Sequence, residues 1–345
     1  MFETLKCVPR LLMQVDLKPV QGDRFQPTGF ADLGAAVYER PDGKRMLLVE
    51  SAQSVANRLE HACLEGDGPR LALEFDGLPY VLVKLTGKVE TETSSLVEAH
   101  RINSPFIITD KKFQEEFKRR AAYAKGLPLD WKKIGAALLY FDPNSLLHGA
   151  FMANLEDGRI KAPRAITGFI EAEDVREAAS GGVKNNPLDP SGKIRAVDYD
   201  KDVYGNVPYH RMEYTAARIT AFFNFDLALL VGYGLPPAAC ELLIALGLYK
   251  VRRFLSYGLR LRTACDLEPC GELKVARPVD GFVVPSEPDL LAAVKMGITQ
   301  CREQRLFHAP PVTELTTTVV LKEKPAQGAT ADSAEAELTN DAAEE

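Results

Sequence analysis

Four hydrogen-bonding side chains recur at helical spacing in the segment SAQSVANRLEHACLEG. They are Ser54, Asn57, Arg58 and His61. The spacing i, i+3, i+4, i+7 places them in one strip of a helix, for which Ser51 is the expected N-cap. A face that only meets water usually carries lysine and glutamate, whereas serine, asparagine and histidine are weaker helix formers with good hydrogen-bonding groups. The strip indicates either a surface that grips phosphates and sugar hydroxyls or a polar face packed against another loop.

Two arginines alternate with leucines in the segment GLRLRTACDL. Alternate side chains of a strand share a face, so Arg260 and Arg262 are expected to lie side by side as a phosphate-binding fork. The ordinary alternative is cross-strand pairing with carboxylates, and the segment alone favours it. Lys250, Arg252 and Arg253 need no such role, because cations complement the dipole in the last turns of a helix.

A long segment, 180–211, has turn signals throughout and little apolar content. Its end, GNVPYHRMEY, sets His210 and Arg211 between Tyr209 and Tyr214. Cations beside aromatic rings suit unpaired nucleic acid, in which bases stack and phosphates need counter-charges. The alternative is a disordered surface loop. Inside the segment, positive charge comes from Lys184, Lys193 and Arg195 and is partly offset by aspartates.

The composition is that of an ordinary globular chain of 345 residues with an acidic end. The chain has 42 basic and 48 acidic residues, and from Pro325 onward it has six acids and no base. The remainder is therefore neutral, and residues 325–345 are expected to be disordered. There is no apolar run long enough for a membrane span and no signal-peptide pattern. We expect a cytoplasmic protein with reduced cysteines; the pair in CDLEPC is a weak zinc signal.

Strands and helices alternate without a regular βαβ repeat, which predicts an α+β fold with an antiparallel sheet and helices on one face. The segment KKIGAALLYFDP is interpreted as a buried strand. Phosphate-binding loops and the common hydrolase motifs are missing, so no catalytic residue, metal or cofactor is expected. His100–Arg101 and His210–Arg211 could support metal-independent cleavage of RNA, and this alternative stays open.

Five segments, taken in order, resemble the backbone subunit of the type I-G (formerly I-U) CRISPR effector complex, a member of the RAMP superfamily. The likeness runs from about Arg24 to Leu267 and continues more weakly to about Leu321. The segments are RFQPTGFADLGAAVYERPDG, LVESAQSVANRLEHACL, EAHRINSPFI, GNVPYHRMEYTAARITAFFNFDLALLVGYGL and GLRLRTACDL.

The resemblance implies a hand-shaped subunit without enzymatic activity. Its palm would be a modified RNA-recognition-motif (ferredoxin-like) antiparallel sheet within a single domain, 1–324, carrying inserted helical segments at about 98–135. A β-hairpin thumb would lie at about 182–208. Copies would polymerise head to tail along the guide RNA, each thumb pressing into the guide near its neighbour, in a Cascade-type complex. The runner-up activity is an endoribonuclease that processes CRISPR repeat RNA.

Guide sequences vary, so such a subunit must contact phosphates and 2′-hydroxyls and leave the base edges to the target strand. The implied partners are the guide RNA, target DNA through the guide, neighbouring copies, other Cascade subunits and, indirectly, the recruited nuclease-helicase; no membrane is implied. The candidate RNA contacts are Arg24, Gln26, Ser54, Asn57, Arg58, His61, Arg101, His210, Arg211, Arg260 and Arg262, with Lys184, Lys193 and Arg195 on the thumb.

Overall fold

A computed structural model describes residues 2–5, 7–30, 32–194, 205–257, 259–278 and 281–320. The predicted thumb residue Arg195 and the acidic segment 325–345 lie outside these ranges. Among the described residues, no helix is long and apolar enough to cross a membrane.

The chain forms short and long strands interrupted by helices. The strands are β1 (Arg10–Pro19), β2 (Gly29–Phe30), β3 (Gly34–Ala35), β4 (Val37–Glu39), β5 (Arg45–Glu50), β6 (Tyr80–Gly87), β7 (Thr91–Ser94), β8 (Ala150–Phe151), β9 (Lys161–Ala162), β10 (Ile166–Glu173), β11 (Arg176–Lys184), β12 (Val207–Thr215), β13 (Arg218–Asp226), β14 (Leu259–Arg262), β15 (Cys265–Pro269), β16 (Lys274–Arg277) and β17 (Val312–Val319). The helices are α1 (Ala52–His61), α2 (Pro105–Ile108), α3 (Lys111–Ala121), α4 (Trp131–Phe141), α5 (Asn144–His148), α6 (Leu227–Gly232), α7 (Pro237–Ser256) and α8 (Glu287–Glu303).

The main sheet is antiparallel and has the strand order β14-β15-β1-β13-β10-β5-β4, with β16 also paired to β1. Its centre is regular: Leu11 lies opposite Phe225 between β1 and β13, and Phe169 lies opposite Phe222 between β10 and β13. The predicted α+β class and antiparallel sheet are confirmed. A second sheet, β17-β6-β7, contains a parallel pair, β17 with β6.

One face of the main sheet carries the core and supports α1 and α7. Two glycines allow the helices to approach it closely. A Cβ on Gly168 of β10 would lie 3.0 Å from Val55 of α1, and one on Gly247 of α7 would lie 2.6 Å from the ring of Phe225. This close packing fixes the position of α1, and with it the polar strip, relative to the main sheet. On the opposite, half-exposed face, Phe169 and Phe222 stack with ring centroids 5.2 Å apart.

The interpretation of KKIGAALLYFDP as a buried strand is wrong, because residues 131–141 form α4. Asp130 caps this helix, its carboxylate accepting from the backbone N–H groups of Lys132 and Lys133. Apolar residues at i, i+3, i+4 and i+7 turn to the core, where they are buried: Ile134, Ala137, Leu138 and Phe141. A short apolar run is compatible with either a buried strand or a helix. In this segment the helical spacing of the buried residues and the Asp130 cap indicate a helix. Helices α2 and α3 and the start of α4 fall within the range 98–135, and α4 continues to Phe141.

Strands β11 and β12 form a separate two-stranded antiparallel sheet. Arg176 pairs with Thr215 at one end of this sheet, and Lys184 pairs with Val207 at the other. This β11–β12 hairpin is mostly exposed and extends beyond both ends of the range 182–208. Its base is joined to the chain after β1 by two backbone hydrogen bonds of 2.9 Å between Phe25 and Tyr214.

Candidate nucleic-acid interface

The predicted strip of α1 lines a cleft. Ser51 caps the helix, its hydroxyl accepting from the backbone N–H of Ser54, while Val55 and Leu59 are buried beneath. The cleft has a volume of about 500 Å³, and we call it the α1 cleft. Its lining includes all four strip residues and the end of α7: Ser54, Asn57, Arg58, His61, Ala62, Leu64, Gly66, Arg253, Phe254 and Tyr257.

Two of the predicted arginines, Arg58 and Arg262, converge on one buried carboxylate. Glu50, at the end of β5, is fully buried. It accepts from the Arg58 Nε at 3.2 Å and from the hydroxyl of Ser54, and it is ion-paired with Arg262. Arg58 also donates to the carbonyl of Leu261 at 2.5 Å. Desolvated charges are stable only when they are paired in this way, so both arginines have a structural role in addition to any contact with a ligand.

The fork expected from Arg260 and Arg262 is not formed. The pairing of β14 with β15 shifts register between the two arginines, and Arg262 turns inward to Glu50 and the carbonyl of Gln26. Arg260 stays 78% exposed, with Asp266 on the neighbouring strand at 3.9 Å. An exposed pair at that distance contributes little stability and leaves the guanidinium of Arg260 accessible to a ligand.

A second cleft, of about 530 Å³, shares Tyr257 with the α1 cleft and is lined by residues of β14, and we call it the β14 cleft. It brings Arg260 together with Arg24, although the two are far apart in the sequence. Its lining residues are Val20, Gln21, Gly22, Asp23, Arg24, Glu213, Tyr257, Leu259, Arg260, Ala264, Asp266 and Leu267.

Glu213 is a second buried carboxylate with two predicted arginines around it. Arg211 donates from its Nε at 2.7 Å, and the Nε of Arg24 lies at 3.7 Å. Arg24 remains 55% exposed, whereas Arg211 is 28% exposed. Arg24 is therefore the residue of the two with a guanidinium available in the β14 cleft.

Gln26 and Arg101 occupy other places. Gln26 lies beside Arg262 in a cleft of about 480 Å³ next to the hairpin base. The backbone carbonyl of Gln26 accepts a hydrogen bond from Arg262 at 3.0 Å. Arg101 is 13% exposed and makes a two-pronged ion pair with Glu60 of α1, at 2.6 and 2.9 Å. It lines a cleft of about 360 Å³ on the far side of the α1 strip, which Asn57 and His61 share. His61 is exposed and lies 3.1 Å from Asp67.

The remaining predicted contacts lie on the hairpin, away from these clefts. Lys184 is exposed on β11, His210 is exposed on β12, and Lys193 is exposed beyond the end of β11. Tyr209 is 54% exposed and its ring lies over Gly182, where an added Cβ would come within 3.1 Å of the phenol oxygen. The hairpin thus presents cations and an aromatic ring to solvent.

Two residues that line the clefts, Arg253 and Tyr257, were not among the predicted contacts. Arg253 was assigned to the end of its helix, yet it lines the α1 cleft. Tyr257 is 77% exposed and lines both the α1 and β14 clefts. The sequence feature that could have identified Tyr257 is its position between a cationic helix end and the segment LRLR.

Lys250 was assigned in the same way, and the structure corrects that assignment. It is fully buried and donates to Asn144 Oδ1 at 2.6 Å and to His148 Nε2 at 2.8 Å, both also buried. Burial lowers the pKa of Lys250, and burial also raises the pKa of the neighbouring Asp142 to about 6. This polar cluster holds α5 against α7.

Comparison with known proteins gives one match to a protein family. Residues 11–177, just under half of the chain, match the model of the family described as CRISPR-associated protein GSU0053 (Cas_GSU0053). The matched part includes α1, Arg24, Gln26 and Arg101; it ends before β12, α7 and β14. No curated protein matches the chain.

The solved structures similar to the chain include the following three. A "CRISPR RNA-guided surveillance complex, pre-nicking" has 13% identity and a TM-score of 0.39, covering 75% of this chain and 74% of that chain. A "CRISPR RNA-guided surveillance complex" has 13% identity and a TM-score of 0.37, covering 86% and 84%. Csc2 of Thermofilum pendens has 9% identity and a TM-score of 0.29, covering 88% and 79%. The match of residues 11–177 makes the first half of the chain similar to a family of CRISPR-associated proteins.

Proposed function

We propose that the chain binds CRISPR guide RNA through its sugar-phosphate backbone and polymerises along it as the backbone subunit of a type I-G Cascade-type complex. The observation that carries the proposal is the pair of adjoining clefts, the α1 cleft and the β14 cleft, which share Tyr257. They collect Arg24, Arg58 and Arg260, with Asn57 and His61, from three separate parts of the chain. The match of residues 11–177 to a CRISPR-associated family supports the same role.

The chemistry of the clefts fits a ligand with a repeating anionic backbone. Arginine pairs with phosphate through parallel N–H donors, and asparagine and histidine can hydrogen-bond a 2′-hydroxyl. Most protein–nucleic acid hydrogen bonds of this kind position the strand without reading its sequence. A subunit that must hold any guide needs this type of contact, with the main sheet acting as a modified RNA-recognition-motif palm and the β11–β12 hairpin as its thumb.

We propose a purely binding role without catalysis, and co-expression with a guide array tests it. The full chain should elute well above monomer size with protected RNA of uniform length. Elution as an RNA-free monomer would contradict the proposal. Cleavage of repeat RNA by the purified protein, abolished by His210→Ala, would favour the endoribonuclease instead.

A salt titration tests which surface binds. The double variant Arg24→Ala, Arg260→Ala removes two exposed cations of the β14 cleft, and the slope of log K against log salt should fall by about 1.4, roughly 0.7 per lost contact with a single strand. The control is Arg10→Ala, Arg119→Ala, which removes equal charge from exposed residues that line neither cleft. Equal slopes for the two double variants would place the RNA elsewhere.

A further inference from the structure

Tyr257 is an exposed aromatic side chain on a fixed backbone. Its N–H donates to the carbonyl of Arg253 at 3.0 Å in the last turn of α7, and the adjacent Phe254 and Leu255 are buried. The ring nevertheless remains in solvent, since the residue is 77% exposed. Its position is thus determined by the fold, while its own contribution to the core is small.

One face of the Tyr257 ring is met by a cation. The guanidinium carbon of Arg253 lies 4.5 Å from the ring centroid, within the range of cation–π attraction. Arg253 is itself held by Glu287 at 3.2 Å, which also accepts from the hydroxyl of Ser256 at 2.6 Å. This chain of contacts restrains the ring on one side and leaves its other side to solvent.

Tyr257 is also the residue common to the two clefts of the proposed interface. The α1 cleft provides Asn57 and Arg58, and the β14 cleft provides Arg24 and Arg260. A strand that occupies both clefts must cross the ring. Phosphate-binding groups on both sides of an exposed aromatic ring form the arrangement that holds unpaired nucleic acid.

We infer that Tyr257 stacks on an unpaired nucleobase of the bound RNA where the strand passes between the clefts. The inference rests on the proposed function and adds a contact through a base to those through phosphates. Because every base has a π-face, such a contact is tolerant of sequence and is compatible with variable guides.

The experiment compares Tyr257→Leu with Tyr257→Phe in the full chain, using single-stranded RNAs of two unrelated sequences. The leucine variant should bind both about 5- to 150-fold more weakly, the range expected for one lost base–aromatic stack, and the phenylalanine variant should bind within about twofold of wild type. With RNA containing 4-thiouridine, ultraviolet crosslinking followed by mass spectrometry should recover a peptide linked at Tyr257.

Three results would overturn the inference. Unchanged RNA affinity of Tyr257→Leu, while wild type binds, would remove the stacking role and leave the proposed function intact. Unchanged affinity with loss of self-association would identify the ring as a protein contact instead. Absence of RNA binding by wild type would remove the inference together with the proposed function.

Discussion

Arg262 on β14 is ion-paired with Glu50 at the end of β5, although four strands separate β14 from β5 in the main sheet. The contact requires the sheet to curl until its first strand meets the end of its sixth. Arg58 connects the same two strands, because it donates both to Glu50 at the end of β5 and to the backbone carbonyl of Leu261 on β14. The curl places α1 beside β14, where Arg58 of α1 reaches the backbone of Leu261.

Arg262→Ala should destabilise the protein strongly, because it removes one partner of a carboxylate that is fully buried. Removing a partner from a buried pair costs about 3–5 kcal/mol, and since Arg58 and Ser54 would remain on Glu50 we expect about 2–3 kcal/mol. The matched control is Arg260→Ala on the same strand, which is exposed and should change stability by less than about 0.5 kcal/mol. Urea unfolding measures both, and similar midpoints for the two variants would contradict the structural role of Arg262.

Local features of the candidate site could be predicted from the sequence, whereas the distant residues that pair with its arginines could not. The helical strip, the Ser51 cap and the alternation of Leu259 and Leu261 with arginines depend on neighbours within a few residues, and the periods 3.6 and 2 show them. Glu50 gave no signal as the partner of Arg262, because that pairing depends on the curl of the whole sheet. For the same reason the register shift in β14, which turns Arg262 away from Arg260, was not visible.

Other errors came from residues with two plausible roles. Lys250 has the spacing of a cation near a helix end, yet it donates into a buried cluster with Asn144 and His148. Tyr257 has the appearance of an ordinary aromatic residue at the end of a helix. In each case the local pattern was correct, and only tertiary packing determines which side of the element faces solvent.

The His148→Gln variant should lose part of the pH dependence of stability. Burial, and then the charges of Lys250, Arg101 and Arg164, hold the pKa of His148 well below its ordinary value. Below pH about 6.5 the His148 imidazole is therefore protonated in the unfolded chain but not in the folded protein. The stability of wild type falls as the pH falls, because protonation favours the unfolded chain. A glutamine oxygen can still accept from Lys250 and does not titrate.

As the pH falls below about 6, wild type should therefore lose stability relative to His148→Gln by about 1.4 kcal/mol per pH unit. Asp142, whose pKa is raised to about 6, acts in the opposite direction, but it is present in both proteins. Denaturant unfolding from pH 7 to pH 5 gives the comparison. Parallel profiles would show that His148 titrates normally.

Two helical glycines should respond oppositely to alanine. At Gly247 the new Cβ would lie 2.6 Å from the ring of Phe225, so Gly247→Ala should cost about 1–3 kcal/mol through overpacking of α7 on the sheet. At Gly232 of α6 an added Cβ meets nothing within 4 Å, so Gly232→Ala should stabilise by about 0.4–1 kcal/mol. Thermal unfolding measures both, and a neutral Gly247→Ala would mean that α7 can move away from the sheet at little cost.

Shortening the β11–β12 hairpin should separate folding from assembly. Gly182 and Tyr209 are register partners, so replacing 183–208 with Asn-Gly would join them by a two-residue turn of the type that suits a hairpin. The deleted strand ends are exposed and lie beyond the anchor between Phe25 and Tyr214, so the midpoint of thermal unfolding should stay within about 2 °C.

The shortened protein should still bind short single-stranded RNA through the two clefts, because Arg24, Arg260 and the α1 strip are retained. It should fail to form long assemblies on guide RNA if the hairpin is the element that reaches a neighbouring copy. Size-exclusion chromatography and negative-stain microscopy with guide-length RNA measure this. A control that keeps the hairpin length but carries Lys184→Ala and Lys193→Ala, two cations inside the deleted range, distinguishes loss of reach from loss of charge. Assemblies of normal length from the shortened protein would exclude the hairpin from contact between copies.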